Sequence, residues 1–307
     1  MGKPNPKRIK QMADERAEKI EALLNAFEAL IDRNAGILSE SLIKGFVDQL
    51  EGKDGFILSH EQNLRKLELL DQAYSLFSEK EGMRIATALM DDMEAIMLLN
   101  DQYFTELMGG KKVKSDDIKR VIRMRLGIDE TGELIRDGYM MGLLQDPTVR
   151  EQIRSFAFQR VSAGIGFQDF RKGLRDLIAG NDETMGAFKR FYRNYAFDTY
   201  AQVDATNGAL YAQKLKLKYF IYNGGIMKDK KGKVRSRKFC VERAGKVFST
   251  EEAEKWKNDK DLTAVDSKST YVWQIQRGGH GCRHSIDWIS EELAFQLRPE
   301  LDPENKE

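Results

Sequence analysis

The sequence predicts an α+β protein, with a long helical N-terminal half followed by a small mixed α/β C-terminal domain that holds a short antiparallel sheet. Two observations carry that prediction. Apolar residues recur at helical spacing through the first half, and at Lys218 the pattern changes to aromatic and β-branched runs separated by turn residues.

The first element is set by Ile9, Met12, Ile20, Leu23, Leu24, Phe27, Leu30 and Ile31, which recur among Lys, Arg, Asp and Glu and predict one long amphipathic helix. Its apolar face can pack on the protein's own helices or dock on a partner. After Gly36 further helices are expected near 37–51, 61–79 and 81–108. The last carries Ile85, Leu89, Met93, Ile96, Met97, Leu99 and Met108, a stripe suited to core packing because Met fills irregular gaps. Gly109-Gly110-Lys111-Lys112 ends it, and Ser115 can cap the next helix. Asp146-Pro147 repeats the capping logic and marks the expected domain boundary, with 1–145 as the helical part. Beyond it, 149–161 and 170–178 read as two helices joined by Ala163-Gly164-Ile165-Gly166, and a longer helix runs from about Glu183 to about Leu217.

Tyr219 to Gly225 reads as a strand ending in a turn. Asp229-Lys230-Lys231-Gly232 predicts a hairpin turn, with Val234 to Cys240 returning as a second strand. Ser249 with Glu252 fits a capping box for a short helix through Trp256. Thr270 to Gln276 and Arg283 to Ile289 are further strand candidates, and Ser290 caps a final short helix. The α+β domain is placed at 146–297, with a frayed tail over 298–307.

Fifty Lys plus Arg against 49 Asp plus Glu give a net charge of +1, so bulk charge selects no partner. No apolar run approaches the roughly 18 residues a membrane span needs. Met1 to Arg8 leads into a charged segment with no apolar signal core, and Pro6 stands where a myristoylation motif wants Ser or Thr. A reducing cytoplasm is the expected setting, where two cysteines are thiols or metal ligands rather than a disulfide. There is no P-loop, dinucleotide fingerprint, His-Glu-x-x-His or Gly-x-Ser-x-Gly.

Scarce residues supply the best chemical handle. Cys240 and Cys282 are the only cysteines, and two of the three histidines, His280 and His284, flank Cys282. Together they make a Cys₂His₂ set able to hold a structural zinc. The spacing is unusual, because three ligands at i, i+2 and i+4 must wrap one ion with Gly278, Gly279 and Gly281 for backbone freedom. A hydrogen-bonded corner without metal, or a Cys282 thiolate activated by a histidine, are the other readings. A second handle is charge: Lys214 to Lys246 carries a net +10. Lys228, Lys230, Lys231, Lys233, Arg235, Arg237 and Lys238, near Tyr219, Phe220 and Tyr222, are candidates for contacting nucleic-acid phosphates. A solvated hairpin whose lysines discourage edge pairing has the same composition.

Over roughly 147–290 the order of features resembles the phage Mu F-like head morphogenesis family, the minor head proteins of tailed phages. The resemblance rests on the helix pair around Ala163-Gly164-Ile165-Gly166-Phe167 and on Tyr195-Ala196-Phe197-Asp198-Thr199-Tyr200 in a long helix. It continues through Arg237-Lys238-Phe239-Cys240, Arg243-Ala244-Gly245-Lys246-Val247-Phe248, Trp256 and His280-Gly281-Cys282-Arg283. The family's closing motif reads like His-Pro-x-Cys-Arg-Cys; here the proline is missing, the spacing is shorter, and His284 stands where a second cysteine is expected. The resemblance implies a low-copy virion component at the portal vertex that acts in head assembly, DNA packaging or DNA delivery. It implies the portal protein, other capsid proteins and packaged double-stranded DNA as partners, the capsid interior as location after assembly in the host cytoplasm, and no catalytic residues. On that view 1–145 would bind portal or capsid. The competing expectation is an enzyme, a zinc-dependent nuclease or other hydrolase using the Cys/His cluster.

Overall fold

The computed structural model describes residues 6–305 and is 65% helical, with the α+β class expected from sequence. Met1–Asn5 and Lys306–Glu307 lie outside the described residues, so part of the N-terminal reading and the end of the tail fall there. The elements run α1 (Pro6–Gly45), a two-stranded hairpin β1 (Gly52–Lys53) and β2 (Phe56–Ile57), α2 (Glu61–Arg65), α3 (Leu67–Phe77), α4 (Met83–Leu107) and α5 (Asp116–Leu126). They continue with α6 (Tyr139–Gln145), α7 (Thr148–Ser162), α8 (Phe167–Ala179), α9 (Ala187–Leu215), β3 (Tyr219–Asn223), α10 (Lys238–Arg243) and β4 (Val247–Ser249). Last come α11 (Thr250–Glu254), α12 (Trp273–Gln276), β5 (Ser285–Ile289) and α13 (Glu291–Leu297).

The chain groups into two compact units that are not linear in sequence. One comprises Met1–Ala22, Met93–Met124 and Phe197–Glu307; the other comprises Leu23–Asp92 and Arg125–Ala196. The boundary expected at 145/146 is therefore replaced, because α1, α4 and α9 each give residues to both units. In α1 the helix runs through Gly36 without a break. Its stripe Ile9, Ala13, Phe27, Ile31, Ala35, Leu38 and Leu42 is buried within the chain, so it is core rather than a free docking arm.

The second unit is helical, with Phe170 packed edge-on against Phe46 and Phe156 at ring separations of 6.1 and 5.8 Å. Its hairpin, not anticipated from sequence, ties to the α7–α8 connection through Ile57 N–H to Ile165 O (3.0 Å) and Phe167 N–H to Gly55 O (3.1 Å).

The first unit carries the three-stranded antiparallel sheet in the order β4-β3-β5. Phe220 pairs with Trp288 and Phe248, and Ile221 with Asp287. Alternation then gives β5 two unlike faces: Ile286 and Trp288 on one, Ser285 and Asp287 on the other. On the first face Phe220 is ringed by all three tryptophans, with centroids of Trp273, Trp288 and Trp256 at 4.8, 5.5 and 5.7 Å. The second face meets a buried polar cluster. Arg16 of α1 bonds the Asp287 carboxylate and donates to Asn100 Oδ1 (3.0 Å), Asn100 donates to Asp204 (2.9 Å), and Tyr103 donates to the Trp288 carbonyl (2.8 Å).

Three local expectations are corrected. Val234 to Cys240 is not a returning strand: only Lys228 and Val234 form an isolated bridge, and Lys238–Arg243 is helical. Helical spacing lets Phe239 and Cys240 point inward together while Arg243, four residues on from Phe239, lies 3.8 Å over its ring. Within Thr270 to Gln276, Trp273–Gln276 forms a helical turn whose Gln276 side chain accepts from Val272 N–H (2.6 Å). The tail is held as far as it is described, with Arg298 donating to the Val247 carbonyl and to both oxygens of Glu252. The capping box at Ser249–Glu252 and the Ser290 cap form as expected.

Candidate metal centre

The aromatic face of the sheet continues into a corner lined by sulfur. Cys240 enters from α10, and Cys282 and His284 enter from the segment that becomes β5. All three are buried, and their ligand atoms lie within 4.8 Å of one another. The sulfurs are 3.9 Å apart, and Cys282 Sγ is 3.7 Å from His284 Nδ1. Two thiolates on one tetrahedral zinc, at about 2.3 Å each, sit about 3.8 Å apart, so the spacing suits the ion. Tyr222 of β3 places its hydroxyl 3.4 Å from each sulfur, and its ring stacks on His284 with centroids 5.0 Å apart. That stacking orients the imidazole, whose Nε2 is buried without a partner.

Two glycines explain why the corner closes. A Cβ built on Gly278 would lie 2.3 Å from Cys240 Sγ and 3.2 Å from Cys282 Sγ. At Gly279, with φ at +88°, it would meet the Ala264 carbonyl oxygen at 1.9 Å. Any side chain at either position must displace the segment. Arg237 holds this segment from the α10 side by donating to the carbonyls of Gly278 and His280.

The electrostatics of the thiols are unequal. The hydrogen bond from the Cys240 thiol, with others from His284 and Tyr222 and the charge of Arg277, holds Cys282 well below the ordinary thiol range against the opposing effect of burial. Cys240 is pushed up, first by its bond to Cys282 and then by burial. One member of the pair is therefore ready to ligate as a thiolate, and a cation in the corner would release the second proton.

The sequence-predicted set divides. Cys240, Cys282 and His284 come together, whereas His280 turns outward and bonds Asp266 at 2.9 Å, with both side chains exposed. The cause is the backbone: Gly279 and Gly281 both have positive φ, so i and i+2 do not share a face before the strand begins. Tyr222 was missed as a fourth polar group, although its place in a strand alternating with Phe220 was available in the sequence.

The basic segment also divides. Lys228, Lys230, Lys231 and Lys233 are exposed and have no ion pair among the described residues. Arg237 is spent on the glycine segment, and Lys238 pairs with Asp261 (3.0 Å). Arg235 lies 3.9 Å from Asp229. Backbone N–H groups of Lys231 and Lys233 both donate to Asp229 Oδ1, which fixes the turn.

No helix among the described residues is long and apolar enough to cross a membrane. No family model, no curated protein and no solved structure matches this chain.

Proposed function

We propose that this chain is a minor head protein of a tailed bacteriophage, acting at the portal vertex in head assembly, DNA packaging or DNA delivery, with a C-terminal module closed by a structural zinc. One observation supports this reading above others. Segments scattered along the family-like part of the sequence, Phe239-Cys240, Val247-Phe248, Trp256 and the Cys282 segment, converge on one buried aromatic and sulfur core. Residues used this way build a rigid module, as a structural component requires. Cys240, Cys282 and His284 would hold the zinc, which when bound would cross-link α10 to the approach to β5.

Because α1 is core, the portal-binding surface belongs to the folded chain, and truncating residues 1–34 would remove Arg16 from its buried cluster. The test is co-expression of the full chain with a tailed-phage portal protein from the same genome, with mass spectrometry of purified particles. Co-purification and low-copy presence in heads are expected. A chain that is expressed but absent from particles and does not bind portal overturns the reading.

The second reading, a zinc-dependent hydrolase, draws on one feature: three converging ligands leave a tetrahedral ion one open position, as catalytic zinc sites do. Incubating the zinc-loaded full chain with double-stranded DNA separates the two. Cleavage that is lost in His284→Ala favours the hydrolase, and intact DNA favours the structural role.

A further inference from the structure

Arg277 is the most anomalous residue of the first unit. It is only 6% exposed, and its Nε is buried without a hydrogen-bond partner. Its guanidinium has no ion pair or hydrogen bond among the described residues. Its backbone sits at φ +50° and ψ −112°, a conformation that a residue with a Cβ adopts at a cost. Asp198 and Cys282 are close enough to feel its charge but neither pairs with it, so holding a buried guanidinium in a strained conformation with Nε unpartnered points to an anion that completes it.

The place for that anion is beside it. A cleft of about 80 Å³ is lined by Asp198 and Gln202 of α9 and by Arg277, Gly279, His280 and Cys282. One water needs about 10–15 Å³ by the same measure, so a group of about five heavy atoms fits. The cleft is not purely cationic. Asp198 lines it, with burial raising its carboxyl above the ordinary range and the charges of His280 and Arg277 offsetting part of that rise, and His280 is already tied to Asp266. A fully ionised tetrahedral anion would satisfy Arg277 but set oxygen against the Asp198 carboxylate. A phosphoryl group that keeps one proton resolves the conflict: its charged oxygens accept from Arg277 and its P–O–H donates to Asp198.

We propose that this cleft is a binding site for a protonated phosphoryl group, either free inorganic phosphate or a terminal phosphate monoester, with Arg277 as counter-charge and Asp198 as the acceptor that selects for the proton. Sulfate, of the same shape without that proton, and phosphodiesters, which have no P–O–H, are rejected. The site shares Cys282 with the metal corner as a lining residue, and it stands apart from the portal reading, which does not supply its anion.

The experiment is titration of the full chain near neutral pH with inorganic phosphate and with sulfate at matched ionic strength, read by calorimetry and by thermal melting. Phosphate is expected to bind with a Kd at or below about 1 mM and sulfate at least tenfold more weakly. Equal binding of the two, or none of phosphate, overturns the proposal. A 5′-phosphorylated dinucleotide and its unphosphorylated form distinguish the sources: at least tenfold tighter binding of the phosphorylated form than of phosphate identifies a nucleotide terminus, and binding of phosphate alone identifies the free ion. Arg277→Gln should abolish binding. Should that variant fail to fold, Asp198→Asn still decides, because an amide can donate to sulfate and should bring the two affinities within about threefold. Unchanged selectivity in Asp198→Asn contradicts the assigned role of the carboxylate.

Discussion

The two faces of β5 solve opposite problems with buried polar groups. One face leads to Tyr222, Cys240, Cys282 and His284, where the polar atoms are soft and drawn from positions 222 to 284. The other meets Arg16, Asn100, Asp204 and Asp287, where the cation is part of the chain and the partners come from as far apart as residues 16 and 287. Burial alone therefore does not identify a ligand site. A cluster that carries its own cation is a structural fastener, and one whose soft ligand atoms converge within 4.8 Å invites a metal.

The sharpest way to break this contrast is to remove metal. A structural zinc contributes on the order of 10 kcal/mol in small domains, comparable to the whole stability of a typical fold. Chelation of the purified chain should accordingly collapse the near-UV circular dichroism of the Phe220–tryptophan core, while a chain kept in zinc retains it. Arg16→Met tests the opposite face. It leaves Asp204 and Asp287 buried without their cation and should destabilise by about 3–5 kcal/mol in denaturant melts, with zinc content unchanged.

Gly278→Ala is the intermediate case. Its new methyl strikes Cys240 Sγ, so a loss of about 1–3 kcal/mol together with weakened zinc binding is expected, and the loss should shrink in Cys240→Ala, measured by a double-mutant cycle.

These effects track how much was legible. Cysteine and histidine are scarce, so the corner was visible from composition, and only the backbone turn at Gly279 and Gly281 concealed that His280 leaves it. Arginine and aspartate are abundant, and nothing local distinguishes Arg16 from its exposed neighbours in α1. Its role depends on a long-range pairing that no periodicity encodes. The strand at Tyr219 and the caps at Ser249 and Ser290 were readable because they rest on neighbouring residues, whereas the Ser115 hydroxyl donates to Asp101. The helix at Lys238 was misread because a short run with Phe239 and Cys240 fits either period. Arg277 was invisible because its burial and positive φ follow from the fold and not from any local pattern.

Acid sharpens the comparison further. Burial raises the Asp287 pKa, and Asp204 adds to the rise, with Arg16 offsetting only part of it. The folded chain thus holds this proton more tightly than the unfolded chain does. Its stabilising contribution is full below the unfolded value near about 3.9 and is lost as pH rises through the folded pKa. Between pH 7 and 4 the wild type should gain stability relative to Asp287→Asn, a trend that paired denaturant melts can read.

The smallest expected effect is on the surface. Replacing Lys228, Lys230, Lys231 and Lys233 together by Ala should change stability by only about 0.5 kcal/mol, since none has an ion pair among the described residues. If the basic turn contacts packaged DNA, the same variant should bind it more weakly and with a shallower salt dependence in filter-binding assays.

The central claim is that the corner of Cys240, Cys282 and His284 is a metal centre. Elemental analysis of the purified full chain, paired with thiol titration, tests it most directly. One zinc per chain, absent from Cys282→Ser, is the predicted result. A metal-free chain with two freely reactive thiols and a melting temperature unmoved by added zinc would contradict it.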